Sequence, residues 1–403
     1  MPAVCVYFQL HQPDRLRRYS VFDAASDYFD ETNNAAILRK VASKSYLPGL
    51  RRLHDLAIRM GGDFRLALSV TGSLIEQCRR WSPEVIEWLE KLAETGCVEF
   101  LTETSQHSLA HLFSDDEFDA QVALHVELMD DLFGQRPTVF RNTELIYNDA
   151  LATRLLNDGR FLGVLCEGAE SILQGRSANH VYRSGAAPGL SVLLKNHRLS
   201  DDIAFRFSDP SWPGYPLTAE KYAGWIADEP GDVVGLFMDF ETFGEHQWEP
   251  TGIFDFLSGL PRALIDAGVP MLTPSEVLDE FDPQGSVQSK SVVSWADTER
   301  DASAWLGNAM QTNAAGELYK LEANIKRACR DTGGDQREAA EALFRDWRKL
   351  TTSDHFYYMC TKYYADGEVH RYFSPYASPY DAYINFMNVL DHLRTRAESA
   401  ALV

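Results

Sequence analysis

The segment FMDFETFGEHQWEP, residues 237–250, begins as a buried strand and then sets Asp239, Glu241, Glu245, His246 and Trp248 close together. Acids crowded at the end of an apolar run are costly to desolvate unless a partner or a reaction uses them. The same pattern recurs along the chain. His11 and Gln12 follow one apolar run, Glu99 and Glu103 lie in and after another, and Glu144, Glu167 and His197 each follow a further one. The set is rich in carboxylates, with two histidines and no evident cysteine or serine nucleophile. Paired carboxylates carry out glycosyl transfer: one attacks the anomeric carbon or activates water while the other protonates the departing oxygen. Glu144 and Asp239, at the ends of separate strands, are candidates for such a pair. Singly, each acid reads as a helix N-cap, an ion-pair member or a solvated loop charge; five or more at one relative strand position read as a site.

The elements that must position these groups are legible as apolar runs: AVCVYFQLHQ, FRLALSVTG, CVEFLTE, TVFRNTE, FLGVLCEG, LSVLLKNH and DVVGLFMDFET. Their near-continuous apolar character predicts strands buried on both faces. Helices with clear punctuation lie between them. SPEVIEWLEKLAETG has Ser82 as N-cap, Pro83 in its first turn and Gly96 as its stop. SDDEFDAQVALHVELMDDLFG opens with a capping box from Ser114 to Glu117 and closes at Gly134, and NDALATRLLNDG runs from Asn148 to Gly159. Alternation of strand and helix implies crossover connections and a parallel sheet. With an eighth candidate strand at VPMLTPSEV, the pattern predicts an α/β barrel over residues 1–285. No GxGxxG or GxxxxGK[ST] supports a nucleotide site. After the polar linker DPQGSVQSKS, residues 286–403 read as a C-terminal helical domain that contributes to the cleft.

The net charge of −21 repels phosphate backbones and anionic membrane surfaces, which argues against nucleic-acid and membrane partners and suits a neutral substrate. The six cysteines (Cys5, Cys78, Cys97, Cys166, Cys329, Cys360) form no CxxC pair and read as reduced packing residues. The N-terminal residues lack the basic region of a signal peptide, and no run is apolar enough to span a bilayer; the expected location is cytoplasmic. The carboxylate set calls for no cofactor.

Five motifs occur in order: HQP at 11–13, GCVEF at 96–100, FRNTEL at 140–145, MDFETFGEH at 238–246 and LTPSEV at 272–277. In series they resemble glycoside hydrolase family 57, which includes α-amylases, 4-α-glucanotransferases, branching enzymes and amylopullulanases. The wording of the third and fourth is most similar to the α-amylase-like branch. The resemblance implies an incomplete (β/α)7 barrel followed by a helical region, and a retaining mechanism with Glu144 as nucleophile and Asp239 as general acid/base. It also implies that His11 and Glu99 contact the sugar near the scissile bond. Gln9 stands where some members carry a further His, and the third motif lacks the Trp of glucanotransferase-type members.

On this reading Glu144 is ionised and Asp239 holds a proton, raised by burial and the nearby negative charge, across roughly 5 to 5.5 Å. Gln12, Arg141, Glu241 and His246 are expected to hold the acid or the sugar hydroxyls. Trp248 is either a plate for a glucose ring or a core residue. Trp295 or Asp297 would reach the cleft from the helical region, and the aromatics from Phe356 to Phe386 would pack between helices, with Tyr372 and Tyr376 as exceptions. His197 and Asp201, with Arg198 and Asp202, lie just past a strand. They form either an exposed ion pair of little energetic weight or a sugar-binding group. His107 and His111 lie one helical turn apart, a spacing that could hold a metal as in polysaccharide deacetylases. The Asp pair of those enzymes is missing from the first strand, so His107 is assigned to the cleft without a metal.

The function expected is therefore that of a retaining hydrolase cleaving α-1,4 bonds of intracellular glucan or maltooligosaccharides. A glucanotransferase or branching enzyme, a metal-dependent deacetylase and a non-catalytic glucan-binding protein are the alternatives.

Overall fold

A computed structural model describes residues 1–331, 336–362 and 374–401. Its strands are β1 (Ala3–Leu10), β2 (Leu66–Val70), β3 (Val98–Phe100), β4 (Val139–Arg141), β5 (Gly163–Glu167), β6 (Tyr182–Ser184), β7 (Ser191–Lys195), β8 (Val233–Asp239) and β9 (Ser286–Val287). Seven of them, the seven predicted runs, are parallel neighbours in the order β3-β2-β1-β8-β7-β5-β4. A parallel bridge between Thr102 and Phe140, with the Arg141 N–H donating to the Thr102 carbonyl at 2.9 Å, brings the two ends of that order together. The ring is thinnest there and between β7 and β8, which share one register pair, Lys195 with Gly235.

The two-residue alternation of the strands explains the position of the polar groups. On β1, Val4, Val6, Phe8 and Leu10 face the surrounding helices. Cys5 and Tyr7 face inward and meet Ala67, Leu101, Val139, Leu165, Leu193 and Phe237 in an enclosed apolar floor. Two residues further along the same faces stand Gln9, Ser69, Glu103, Arg141, Glu167, Lys195 and Asp239. The barrel thus has an apolar interior and a polar mouth at the C-terminal strand ends, as parallel barrels require.

Three expectations are corrected. VPMLTPSEV is not an eighth strand: Met271 makes a single bridge to Val4, and Pro274–Glu280 is a helix with a Thr273–Glu276 capping box. Prolines at 270 and 274 leave too few amide donors for a ladder. The polar stretch after 282 is not a free linker, because β9 pairs with β6, itself antiparallel to β7. The two strands are only three and two residues long, too short to show as an apolar run, though Tyr182 and Val287 are buried in the core. Finally, Ser114 caps its helix by accepting from the Glu117 N–H, but Glu117 does not close the box. Its buried carboxylate turns instead to Arg348 at 2.7 Å and Lys326 at 3.2 Å, from the C-terminal helices.

Those helices span Ser303–Leu306, Ala309–Lys320, Glu322–Asp331, Gln336–Leu350, Ser353–Tyr357 and Pro379–Ala401. Trp305, Leu318, Trp347, Phe356 and Phe386 share one core cluster with Phe140, Val164 and Val192 of the barrel. The helical region is therefore built onto the β4–β5–β7 side of the barrel. Tyr372 lies outside the described residues, and the Tyr376 hydroxyl accepts from Asn385 at 3.2 Å, so its ring packs among the helices. The cysteines are free, all buried except Cys329. No helix among the described residues is long and apolar enough to cross a membrane.

Candidate active site

Glu144 leaves β4 in a tight turn with φ of 56° and 51° at Glu144 and Leu145. A left-handed conformation at non-glycine residues costs about 1–3 kcal/mol each and persists where the surroundings over-determine it. Here they do. The Trp295 backbone N–H donates to the Glu144 carbonyl at 3.2 Å, and its indole Nε1–H donates to Oε2 at 2.7 Å. On the other oxygen, His107 Nε2 lies at 3.2 Å and the Ser353 hydroxyl at 3.4 Å.

His107, itself at φ 50°, is gripped from behind by Glu103, whose Oε2 lies 2.6 Å from Nδ1. Glu103 has no solvent exposure. It accepts from Ser69 Oγ at 2.5 Å and Gln9 Nε2 at 2.9 Å, with the Arg141 guanidinium at 3.6 Å. Burial alone would lower His107, but the Glu103 charge and hydrogen bond, with Glu144 beyond, raise it to about 9. His107 is thus an imidazolium donating from both nitrogens. Burial likewise pushes Glu144 up, yet the His107 hydrogen bond and the charges of His107 and Arg141 outweigh it and hold Glu144 below its ordinary value.

Asp239, at the end of β8, is shifted the other way. Burial and then the Glu144 charge raise its carboxyl to about 6. Two residues on, burial and the Asp239 charge raise Glu241 to about 8, and its partner is the Tyr46 hydroxyl. Tyr46 reaches the site from a π-turn, Ala42–Tyr46, that precedes Pro48. The turn brings the Lys44 carbonyl so close to Gly244 that a Cβ there would lie 2.0 Å from it. Only glycine fits, at φ 106°.

His11 closes the remaining side. Its ring stacks on His107 with centroids 4.1 Å apart, Nδ1 meets Thr71 Oγ1 at 3.0 Å, and Nε2 meets Asp354 Oδ2 at 2.9 Å. Burial and the neighbouring His107 cation lower His11, so a neutral ring donates from Nε2 and accepts at Nδ1. Burial alone would raise Asp354; His11 and His107 hold it well below the carboxylate range.

The profile of glycosyl hydrolase family 57 matches residues 5–290. The chain belongs to this family. A Methanocaldococcus jannaschii protein provisionally named an alpha-amylase is 40% identical over 390 residues, covering 95% of this chain and 82% of that protein. The solved family 57 branching enzyme of Pyrococcus horikoshii superposes with a TM-score of 0.71 at 17% identity, over 97% of this chain and 88% of that one. A solved alpha-amylase of Thermotoga maritima gives 0.61 at 13% identity, over 100% and 97%. At such identities the likeness is one of fold.

Within this family 57 barrel the residues singled out by sequence are sorted unequally. His11, His107, Arg141, Glu144, Asp239, Glu241 and Trp295 converge. Arg141 is wholly buried beside Glu103, and His107 meets Glu103 and Glu144 through its two nitrogens. Gln12 is buried and reaches the Tyr46 hydroxyl at 3.5 Å. Glu99, expected at the sugar, lies apart from this group. It faces inward below the apolar floor, where the Ser275 N–H and hydroxyl donate to it at 2.9 and 2.8 Å. His246 lies beside Glu245, its N–H donating to the Glu241 carbonyl at 2.9 Å, and Glu245 pairs with Lys40. Trp248 is 64% exposed on the rim, 6.0 Å from Lys44. His197 and Asp201 join Glu167, Lys195 and Arg300 in a separate charged cluster. His111 turns away from His107 to Asn148 at 2.9 Å, and among the described residues no three His, Cys, Asp or Glu side chains converge as metal ligands. Asp297 pairs with Lys362 at 3.1 Å. Sequence reasoning missed Tyr46, Ser353 and Asp354. None of the three lies at the end of an apolar run or within one of the five motifs.

Proposed function

We propose that the chain is a retaining α-glucan hydrolase that cleaves α-1,4 bonds of glucan or maltooligosaccharides, with Glu144 as nucleophile and Asp239 as general acid/base. The observation that carries the reading is the opposite displacement of these two buried carboxyls, Glu144 downward and Asp239 upward to about 6. A glycosidase needs that asymmetry. In the first step the Asp239 proton passes to the glycosidic oxygen as its bond to the anomeric carbon breaks, and Glu144 forms the ester. Its negative charge then disappears, which removes one of the two causes that raise Asp239 and frees Asp239 to take a proton from water. Water attacks the anomeric carbon and the bond to Glu144 breaks. The His107 donor, which tempers Glu144 as a nucleophile, stabilises it as the departing carboxylate. His11, His246 and Trp248 are the candidates to meet sugar. The name of the M. jannaschii relative and the missing Trp of the third motif favour hydrolysis over transfer.

Incubation with maltoheptaose tests the proposal. Shorter products alone are expected. Longer products would mean a transferase, branches a branching enzyme, and unchanged but bound glycogen a non-catalytic glucan binder. Acetate released from an acetylated polysaccharide and lost to chelators would mean a deacetylase. A Glu144→Gln protein that still turns over would end the assignment.

A further inference from the structure

Between the strands that end in Asp239 and Arg141 lie β7 and β5, which end in Lys195 and Glu167. Glu167 has no exposure, and its two carboxylate oxygens accept no hydrogen bond among the described residues; the charges of Arg300 and Lys195 balance it. Arg300 Nη1 lies 2.7 Å away, Lys195 Nζ 3.6 Å and His197 Nδ1 3.9 Å. Arg300 also faces Asp201 at 3.9 Å.

Arg300 belongs to the loop that carries Trp295. The loop closes on itself through the Ser294 N–H to the Arg300 carbonyl at 3.0 Å and the Ser294 hydroxyl to the Asp301 carbonyl at 2.6 Å. It holds two non-glycine residues, Asp297 and Arg300, in the left-handed region at φ 53° and 51°. Lys362 grips its outer side through Asp297 at 3.1 Å and Glu299 at 3.0 Å. At its start, the Trp295 ring is flanked by Arg141 at 5.0 Å and Lys195 at 5.4 Å while its indole holds Glu144. Such backbone strain relaxes when its anchors go, and a buried carboxylate stripped of its nearest cation drives rearrangement.

We propose that Arg300 is a positioning residue: by pairing with buried Glu167 it locks the 294–301 loop onto the barrel mouth, and through Trp295 it fixes the orientation of Glu144. The inference rests on the reading of Glu144 as nucleophile. Without the lock, Trp295 leaves Oε2, the aligned fraction of Glu144 falls, and the loss appears in kcat and not in KM.

The test is a cycle of Arg300→Gln, Trp295→Phe and the double variant on maltoheptaose, with hydrogen exchange over residues 293–302. Arg300→Gln should lower kcat by roughly 10- to 100-fold at nearly constant KM. Exchange of the loop amides should speed up while the rest of the barrel stays protected, and Arg300→Lys should recover part of both losses. The double variant should be no worse than Trp295→Phe alone, because both act through one contact. Multiplicative losses in the double variant, or wild-type kcat and exchange in Arg300→Gln, would overturn the proposal. If Arg300→Gln does not fold, Glu167→Gln/Arg300→Gln leaves no bare buried charge and should show the same fast loop exchange; a protected loop there also overturns it. A wild-type protein inert towards maltoheptaose defeats the functional reading instead, and the exchange comparison still judges the lock.

Discussion

The two sides of the barrel mouth handle buried carboxyls in opposite ways. At β3–β4, Glu103 and Glu144 sit among His107 and Arg141, and both are held below their ordinary values. At β8, burial and the Glu144 charge raise Asp239, burial and the Asp239 charge raise Glu241, and the close side-chain donor to Glu241 is the neutral Tyr46 hydroxyl. Burial is the largest single influence on all four and pushes all four upward. Whether a cation stands in hydrogen-bonding range decides the outcome, because an imidazolium or guanidinium repays desolvation of an anion and a neutral hydroxyl does not.

Removing the working group on either side should have the largest effects. Glu144→Gln is expected to cost roughly 10⁴-fold or more in kcat with folding intact. Asp239→Asn should cost about 10²–10⁴-fold; an aryl maltoside whose leaving group needs no proton should recover the first step in Asp239→Asn and not in Glu144→Gln. The comparison itself is tested by two isosteric changes. Glu103→Gln removes the anion that keeps His107 charged, so Glu144 and Asp239 both lose a cation and both rise; the kcat/KM profile should move to higher pH on both limbs, with a loss of about tenfold or more on the acid side. Glu241→Gln imitates a group already protonated below about pH 8, so its profile near pH 6 should stay close to wild type. Equal losses in the two variants would mean that the two sides do not differ.

Stability should follow the same division. Asp239, Glu241 and His107 bind protons more tightly folded than unfolded, so each contributes stability that is full below its unfolded pKa and is lost as pH rises through about 6, 8 and 9 respectively. The urea midpoint should therefore fall between pH 7 and pH 9, where the buried histidines of lowered pKa are already neutral both folded and unfolded, and fall less in Glu241→Gln. The smallest effect is expected at the rim. Trp248→Ala should raise KM for maltoheptaose several-fold with kcat unchanged and shift stability by no more than about 0.5 kcal/mol; an unchanged KM would return Trp248 to the bare surface.

The family and the fold class were legible because both are written locally. Continuous apolar runs specify strands buried on both faces, polar residues at their ends specify the mouth, and the five motifs carry the candidate pair without knowledge of any contact. What period two cannot supply is depth. Glu99 and Glu103 share the inward face, yet four extended residues span roughly 13 Å, enough to put one below the apolar floor with Ser275 and the other in the mouth with His107. The partners that set protonation were equally hidden. Asp354 meets His11 across 343 residues, and Trp295 meets Glu144 across 151. A carboxyl's affinity for its proton depends on which charges stand within a few ångströms, and only the closed barrel with its helical cover brings those charges there.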